Sequence, residues 1–229
     1  MKKDLLFGLD LKYRDMLFEK LCRTGMRIIF IVTVFLITTH LKAEEKFAIN
    51  GDILTYRTDQ NEDSEGITLD DVAVFKSLLK ANTQVRVVKL SSGGGEVAAA
   101  YEIVDVVIEQ QLDTHVIDFC ESACTLILLA GVNRTAEKNA KIGFHQTSLS
   151  PADAKLEYKE LKGELGFETP YDYASWLLED TQDLILNDLY YYQSLGLSLD
   201  FIIKTMEAYS DEMWYPDHAY MVKEGVLTE

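Results

Sequence analysis

An alternation of strand-like and helical patterns between Val85 and Gln146 constrains the fold more than any other stretch of this chain. Three strand-like apolar runs and two helical patterns follow one another there, in the order 85–89, 97–107, 115–119, 125–131 and 141–146. This order is typical of parallel strands joined by crossover helices. The sequence therefore predicts an α/β domain of stacked βαβ units around a parallel sheet, and residues 44–229 are enough to form it as a single domain.

Two turns and one histidine in this stretch carry the residues of chemical interest. The first turn, SSGGGE at 91–96, contains three glycines whose backbone N–H groups can approach a ligand closely. The second turn, CESAC at 120–124, places the hydroxyl of Ser122 at a strand-to-helix corner, and the run 141–146 leads into His145. Ligands collect at the carboxyl ends of parallel strands, where both turns lie. A hydroxyl, a base and a loop of N–H donors are the groups that acyl transfer requires.

Residues 1–43 differ from the remainder of the chain. Two arginines, Arg23 and Arg27, precede the apolar run 28–37, and a small residue, Ala43, stands just before two glutamates. The apolar run is shorter than the roughly 18 residues that span a bilayer comfortably. The pattern predicts a secretory signal peptide cleaved near Ala43, with Met26 as a candidate start; the alternative is an uncleaved membrane anchor formed by residues 28–39.

The charge of the remaining chain excludes one class of partner. Removal of residues 1–43 takes away eight of the 22 Lys and Arg and four of the 38 Asp and Glu, which leaves a net charge of −20. Such a polyanion is repelled by phosphate backbones and by anionic membrane surfaces. We therefore expect no nucleic-acid partner, and we assign the charge to solubility.

Segments on both sides of the βα stretch show their own patterns. The run 47–56 contains an Asn-Gly pair and predicts a strand or hairpin. An acidic loop at 59–66 follows, in which a calcium site is a weaker interpretation than a solvated loop. A helix is predicted to begin at Thr68.

Beyond Ser148 the sequence predicts helices, which form a helical insertion at about 150–209. The helical patterns cover 151–162, 171–192 and 199–209, the last with Ser198 as its N-cap. Aromatic residues cluster in the second of them. Such a stripe is typical of a core or an oligomer interface.

Two cysteines, Cys120 and Cys124, flank Ser122 in the exported part of the chain. An oxidising compartment favours a disulfide between them, provided their α-carbons lie within roughly 4.4–6.8 Å of each other. Two buried thiols are the alternative. No cofactor or metal site is expected, because no second cysteine or histidine pair stands at ligand spacing.

These motifs resemble those of the ClpP/crotonase superfamily, in particular the Clp-type serine proteases and their exported relatives. The segment 91–97 is similar to the family's Asn-Ser-Pro-Gly-Gly-Ser-Val loop, with Gly93 in place of proline. The stretch 122–131 is similar to the block that runs from Ser-Met-Gly to Leu-x-Ala-Gly, and 143–146 is similar to Met-Ile-His-Gln. The C-terminal stretch 211–227 matches the family's last motifs only with two additional residues between them.

The resemblance implies an exported serine hydrolase, a ClpP-like peptidase that acts on peptides or other acyl substrates. Ser122 attacks the acyl carbon, His145 takes its proton and Asp211 orients the imidazole. The N–H groups of Gly94 and Ala123 form the oxyanion hole. A homo-oligomer is compatible with the family, whereas an ATP-driven unfoldase is not expected for an exported protein.

Simpler roles and rival functions exist for the same residues. Ser122 could serve only as an N-cap, His145 could be an ordinary hydrogen-bonded histidine, and Asp211 could cap a turn while another acid, such as Asp217, is the partner. The chain could then be a catalytically silent binding module, because fold does not establish function.

The glycine-rich turn also fits a dinucleotide-binding fingerprint. In that interpretation Gly93, Gly95 and Ala98 occupy the three conserved positions of the fingerprint, and Asp118 is the ribose ligand. The export signal and the Ser122/His145 pair argue against it.

Overall fold

The computed structural model describes residues 45–59 and 66–229, all of which belong to one compact unit. The predicted export segment and most of the acidic loop 59–66 lie outside the described residues. Within the two described ranges, no helix is both long enough and apolar enough to cross a bilayer.

A mostly parallel sheet forms the centre of the domain, as the βα pattern predicted. Its strands are β1 (Phe47–Asn50), β2 (Ile53–Arg57), β3 (Val87–Ser92), β4 (Asp113–Glu121), β5 (Arg134–Ala136) and β6 (Lys141–Gly143). The order is β1-β2-β3-β4-β5, and β6 pairs with the second half of β4, beyond β5. Only β1 and β2 are antiparallel, and they form the predicted hairpin across the Asn50-Gly51 turn. The prediction of an α/β fold is therefore confirmed.

Seven helices accompany the sheet in the described part of the chain. They are α1 (Leu69–Ala81), α2 (Val97–Glu109), α3 (Cys124–Leu129), α4 (Pro151–Leu165), α5 (Pro170–Ser194), α6 (Leu199–Thr205) and α7 (His218–Glu224). Helix α2 packs between α1 and α3, and α3 lies against β3 and β4. Apolar side chains from these strands and helices form the core, among them Leu90, Val116, Ala100, Ile103, Val107 and Ile127, all fully buried.

The start of α1 is fixed by a buried carboxylate. Asp71 accepts a hydrogen bond from the N–H of Thr68 at 2.9 Å, as predicted for a helix that begins there. The same carboxylate accepts from the Tyr56 hydroxyl at 2.7 Å and from Lys46 Nζ at 2.9 Å. The helix start is thereby bound both to β2 and to the chain that leads into β1.

A bulge between β3 and β4 brings the two predicted turns together. Leu90 lies opposite Val116, but Ser92 lies opposite Cys120, so β4 contains two more residues than β3 over this interval. Bulges of this kind redirect a strand and are common beside functional sites. Here the bulge places the glycine-rich loop after β3 next to the corner after β4.

The predicted C-terminal helix 199–209 is shorter in the structure. Ser198 is its N-cap, as predicted, and accepts a hydrogen bond from the Phe201 N–H at 3.1 Å. After Thr205 the N–H groups of Met206 and Glu207 bond three residues back, and the chain then pairs with the segment after β6. Ala208 O accepts from the Gln146 N–H at 3.0 Å, and Trp214 exchanges two 2.9 Å backbone bonds with Phe144.

The aromatic stripe divides between two environments. Tyr191 and Tyr192 belong to the main core, which agrees with the core interpretation. Tyr173 packs with Trp176 and with Phe167 in a separate cluster between α4 and α5. Helix α4 itself buries none of its side chains.

Candidate active site

The corner between β4 and α3 holds Ser122 in an unusual backbone conformation. Its φ is +54°, a left-handed value that few non-glycine residues adopt. The Ser122 N–H donates to Gly143 O at 3.0 Å, and Ser122 O accepts from the Thr125 N–H at 2.9 Å. Ala123, not Ser122, occupies the N-cap of α3, and no side chain caps this helix. The Ser122 hydroxyl is therefore not a capping group.

A disulfide between Cys120 and Cys124 closes the corner around Ser122, as the sequence predicted. The two α-carbons are 5.3 Å apart, within the range that a bridge requires. Both cysteines are fully buried. The bridge joins the end of β4 to the first residue of α3.

We expect protein isolated from its native compartment to contain no free thiol at Cys120 or Cys124. The loop that the bridge closes is very short, so the loop-closure contribution to stability falls well below the roughly 3 kcal/mol expected for a 15-residue loop. The disulfide should act mainly on the geometry of the corner. Thiol titration of the denatured, unreduced protein measures this, and two reactive thiols would contradict it.

The glycine-rich loop lies directly against the corner. Gly94 has φ +96°, and a Cβ at this position would stand 2.7 Å from Ser122 Cβ and 3.1 Å from Ala123 N. Gly94 O accepts from the Ile67 N–H at 2.8 Å, and Ile67 O accepts from the Glu96 N–H at 2.9 Å. Ile67 therefore holds the loop in place.

The two predicted oxyanion donors lie beside Ser122, but one of them is engaged. The Gly94 N–H donates to Ser92 Oγ at 3.1 Å, and Ser92 Oγ also accepts from Thr58 Oγ1 at 2.7 Å. Ala123 follows Ser122 and is almost fully buried. Binding of an oxyanion by Gly94 requires its N–H to leave Ser92 Oγ.

His145 lines the same cavity as Ser122. The backbone bonds of Phe144 to Trp214 and of Gln146 to Ala208 hold the segment on both sides of the histidine. Its Nδ1 atom is buried and has no hydrogen-bond partner among the described residues. At Nδ1, His145 therefore lacks the hydrogen bond that the simpler interpretation expects.

The cavity shared by Ser122 and His145 is narrow, with a volume of about 30 Å³. It is lined by Val97, Ser122, Ala123, Thr125, Leu126, Phe144, His145, Thr147, Asp188, Tyr192 and Thr205. The two candidate catalytic side chains make no hydrogen bond to each other within the described ranges.

The structure does not place Asp211 at this cavity. Asp211 is exposed and lies outside the cavity lining. Asp217, the alternative acid, caps α7 by accepting from the Tyr220 N–H at 2.8 Å. The role of Asp211 as the third catalytic residue stays a prediction.

Asp188, which the sequence analysis did not single out, lines the cavity from α5. The Tyr101 hydroxyl on α2 donates a hydrogen bond to its Oδ1 atom. Burial raises the pKa of Asp188 to about 6, against a smaller lowering effect from the Tyr101 bond. A helical spacing of three and four residues places Asp188 on the same face as Tyr191 and Tyr192, which was the available signal in the sequence.

Replacing Asp188 with asparagine should make the folded protein more stable at neutral pH. A folded pKa of about 6 lies above the usual 3.8, so the folded state binds more protons between these values. Its stability therefore falls as pH rises through this window. The two-unit difference corresponds to at most about 3 kcal/mol. Urea unfolding should show a variant that exceeds wild type at pH 7.5 and converges with it near pH 4; a less stable variant at pH 7.5 would contradict the expectation.

A larger, open groove of about 630 Å³ is formed by the chain that bonds to the residues on both sides of His145. It is lined by Lys204, Glu207, Ala208, Glu212, Met213 and Trp214. It contains neither Ser122 nor His145. We therefore assign the candidate active site to the smaller cavity, which Ser122 and His145 both line.

The residues of the dinucleotide alternative have partners within the protein. Asp118 accepts a hydrogen bond from Arg57 at 2.8 Å. Gly95 forms an isolated bridge with Ile67. These contacts occupy the side chain and the loop that a dinucleotide would use.

Among known proteins, this chain is similar to solved structures but matches no sequence family. No family model and no curated protein matches the chain. Among solved structures, the chain is similar to a single-residue mutant of ClpP1 from Listeria monocytogenes, with 17% sequence identity, 71% of this chain and 85% of that chain covered, and a TM-score of 0.47. Similarity at this level says nothing about activity, and the candidate site rests on its own geometry.

Proposed function

We propose that this protein is an exported serine hydrolase in which Ser122 is the nucleophile and His145 the general base. The observation that carries the proposal is the left-handed Ser122, whose hydroxyl caps no helix and which shares a narrow cavity with His145, whose Nδ1 atom has no hydrogen-bond partner among the described residues. A strained serine at a strand-to-helix corner is the arrangement by which α/β enzymes expose a nucleophilic hydroxyl.

The chemistry proceeds in two balanced steps. Ser122 Oγ attacks the acyl carbon while the imidazole of His145 takes the hydroxyl proton, and the leaving amine or alcohol then departs with that proton. Water attacks the resulting acyl-serine ester while His145 takes its proton, and the acid leaves as His145 returns that proton to Ser122 Oγ. The Ala123 N–H, joined by the Gly94 N–H once it leaves Ser92 Oγ, donates to the oxyanion.

The acid that orients His145 is sought in the stretch of chain beside it, which contains Glu207, Asp211 and Glu212. Residues 206–215 lie beside the His145 segment through the Gln146–Ala208 and Phe144–Trp214 backbone bonds. We propose that Asp211, within this stretch, approaches His145 Nδ1 when substrate binds. Peptides and other acyl compounds are the proposed substrates, and no ATP-driven unfoldase is required.

Labelling with a fluorophosphonate probe tests the nucleophile directly. Such probes phosphonylate an activated serine, so wild-type protein should be labelled at Ser122, as located by peptide mass. Ser122→Ala should not be labelled, whereas Ser150→Ala, which alters an exposed N-cap serine of α4, should be labelled like wild type. Absence of label on a folded, disulfide-bonded protein would refute the proposal.

The catalytically silent binding module is the second candidate, and two observations favour it. His145 Nδ1 has no acidic partner among the described residues, and the Gly94 N–H is engaged by Ser92 Oγ. Both features leave the machinery incomplete in this conformation. If no label and no hydrolysis are found, this candidate replaces the hydrolase.

Export is the remaining part of the proposal. We expect the mature chain to begin near Glu44, because residues 1–43 have the basic, apolar and small-residue order of a signal peptide. Intact mass and N-terminal sequencing of protein from the native cell envelope measure the start. A full-length species in the soluble cytoplasm would contradict export, and a full-length species in the membrane fraction would indicate the anchor instead.

A further inference from the structure

The polar groups that line the candidate cavity are mainly hydroxyls, with one carboxyl group. Five hydroxyl-bearing residues contribute to it, namely Ser122, Thr125, Thr147, Tyr192 and Thr205. One carboxyl group, that of Asp188, completes the set, and no lysine or arginine of the described chain lines the cavity. The cavity is therefore rich in oxygen acceptors and contains no permanent cation.

Asp188 lies in this cavity without a charged partner. Its Oδ1 atom accepts a hydrogen bond from Tyr101, which is neutral, and among the described residues no ion pair involves Asp188. Tyr192, also neutral, and His145 are the other titratable groups that face the cavity. A partly buried carboxylate that lacks a cation is costly, because it has lost part of its hydration without electrostatic compensation. A bound cation would supply that compensation.

The size of the cavity selects the kind of cation. A volume of about 30 Å³ leaves room for a compact polar group. A primary ammonium group is of this size and has three N–H donors, which match one carboxylate and two neighbouring hydroxyls. A guanidinium group is planar and larger, and its five donors require a wider site.

We propose that Asp188 binds a primary ammonium group of the substrate, so that the hydrolase prefers acyl compounds with a lysine side chain or a free amino terminus near the scissile acyl carbon. This specificity rests on the proposed function of Ser122 and His145. The binding of the ammonium group does not depend on it. The helical insertion would then supply the specificity residue, because Asp188 lies on α5 while the catalytic pair follows β4 and β6.

Binding of butylammonium to the Ser122→Ala variant tests the ammonium site without any turnover. At pH 7.5 we expect saturable chemical-shift changes in an NMR titration, at least tenfold weaker binding of butylguanidinium, and no binding of butanol. Adding Asp188→Asn should weaken butylammonium binding at least tenfold. Asparagine still offers an oxygen to the Tyr101 hydroxyl, so this variant should fold, and Tyr101→Phe serves as the matched control that retains the carboxylate.

Kinetics on paired esters tests the specificity in the wild-type protein. We expect kcat/KM for an Nα-acetyl-lysine ester to exceed that for the Nα-acetyl-norleucine ester at least tenfold, and Asp188→Asn to abolish the difference. A norleucine ester with a free α-amino group distinguishes recognition of the amino terminus from recognition of the side chain. Tyr101→Phe should keep the preference for an ammonium group.

The possible outcomes separate the two proposals. Butylammonium binding that depends on Asp188, together with no hydrolysis of any ester, would refute the hydrolase and support the ammonium site. Hydrolysis without preference for a charged substrate, together with no butylammonium binding, would overturn the role of Asp188 and leave the hydrolase intact. Binding that persists in Asp188→Asn would also overturn it.

Discussion

Ser122→Ala should abolish hydrolysis of an activated ester or peptide, and His145→Ala should reduce the rate almost as much. We expect each loss to reach about 10³-fold or more. His145→Ala leaves the serine hydroxyl without a base, and a hydroxyl alone is a weak nucleophile. Ser122→Ala removes the nucleophile that the base activates. The double variant should lose little beyond either single variant, since the two groups act as one unit. Initial rates at saturating and at low substrate concentration measure these effects.

Matched controls separate chemistry from folding in this experiment. Ser150→Ala and His218→Ala alter an exposed serine and an exposed histidine at the starts of α4 and α7. Neither lines the candidate cavity, so both variants should hydrolyse the ester at the wild-type rate. A His145→Ala variant that is folded and fully active would show that His145 is not the base.

The same assay identifies the acid that orients the imidazole. If Asp211 has this role, Asp211→Asn should lower kcat less than His145→Ala does, because the base remains present but loses its preferred orientation. Asp217→Ala should change stability, through the lost cap of α7, rather than rate. Equal rates in Asp211→Asn and wild type would leave a Ser122/His145 pair without an acidic partner.

Most of the fold could be predicted because turns and helix starts are determined by neighbouring residues in the sequence. The hairpin at 47–56 follows from the Asn-Gly turn and the start of α1 from its capping residues, and both are confirmed. Strand β5 was missed because Arg134–Ala136 has only three residues and carries no apolar alternation. Its place in the sheet comes from pairing with β4, which is not a local property.

The end of the predicted helix 199–209 shows how tertiary contacts override a helical pattern. Residues after Thr205 have helical spacing of apolar side chains, but their backbone groups bond to the segment that contains His145. Hydrogen bonds across the chain replace the bonds that another turn of helix would supply. These bonds also hold the segment around His145 in position beside the cavity.

The candidate site divides in the same way between local and long-range causes. Ser122 and the glycines of the loop were recognisable because a turn is determined by residues that are adjacent in the sequence. Asp188 was not, because it reaches the cavity only through the packing of α5, where it meets Tyr101 on α2. Eighty-seven positions separate these two residues, so no spacing rule connects them.

Gly94→Ala should nearly abolish activity, because the added methyl group would enter the space that Ser122 occupies. A Cβ at Gly94 stands 2.7 Å from Ser122 Cβ and 2.8 Å from Glu121 O, and the φ of +96° is a conformation that side chains rarely adopt. The backbone strain alone costs about 1–3 kcal/mol. Relief of the clash requires the loop or the corner to move, and a displacement of about 1 Å at a reacting group can reduce the rate about 100-fold.

Gly163→Ala is the matched control for this substitution. Gly163 lies in the exposed helix α4, and a Cβ there would meet no atom within 4 Å. Alanine should raise stability by up to about 1 kcal/mol, because glycine is the poorer helix former, and the rate should not change. Thermal unfolding and ester hydrolysis of both variants give the comparison. Full activity in Gly94→Ala would mean that the loop is free to move away from Ser122, and the Gly94 N–H could then not be a fixed donor to the oxyanion.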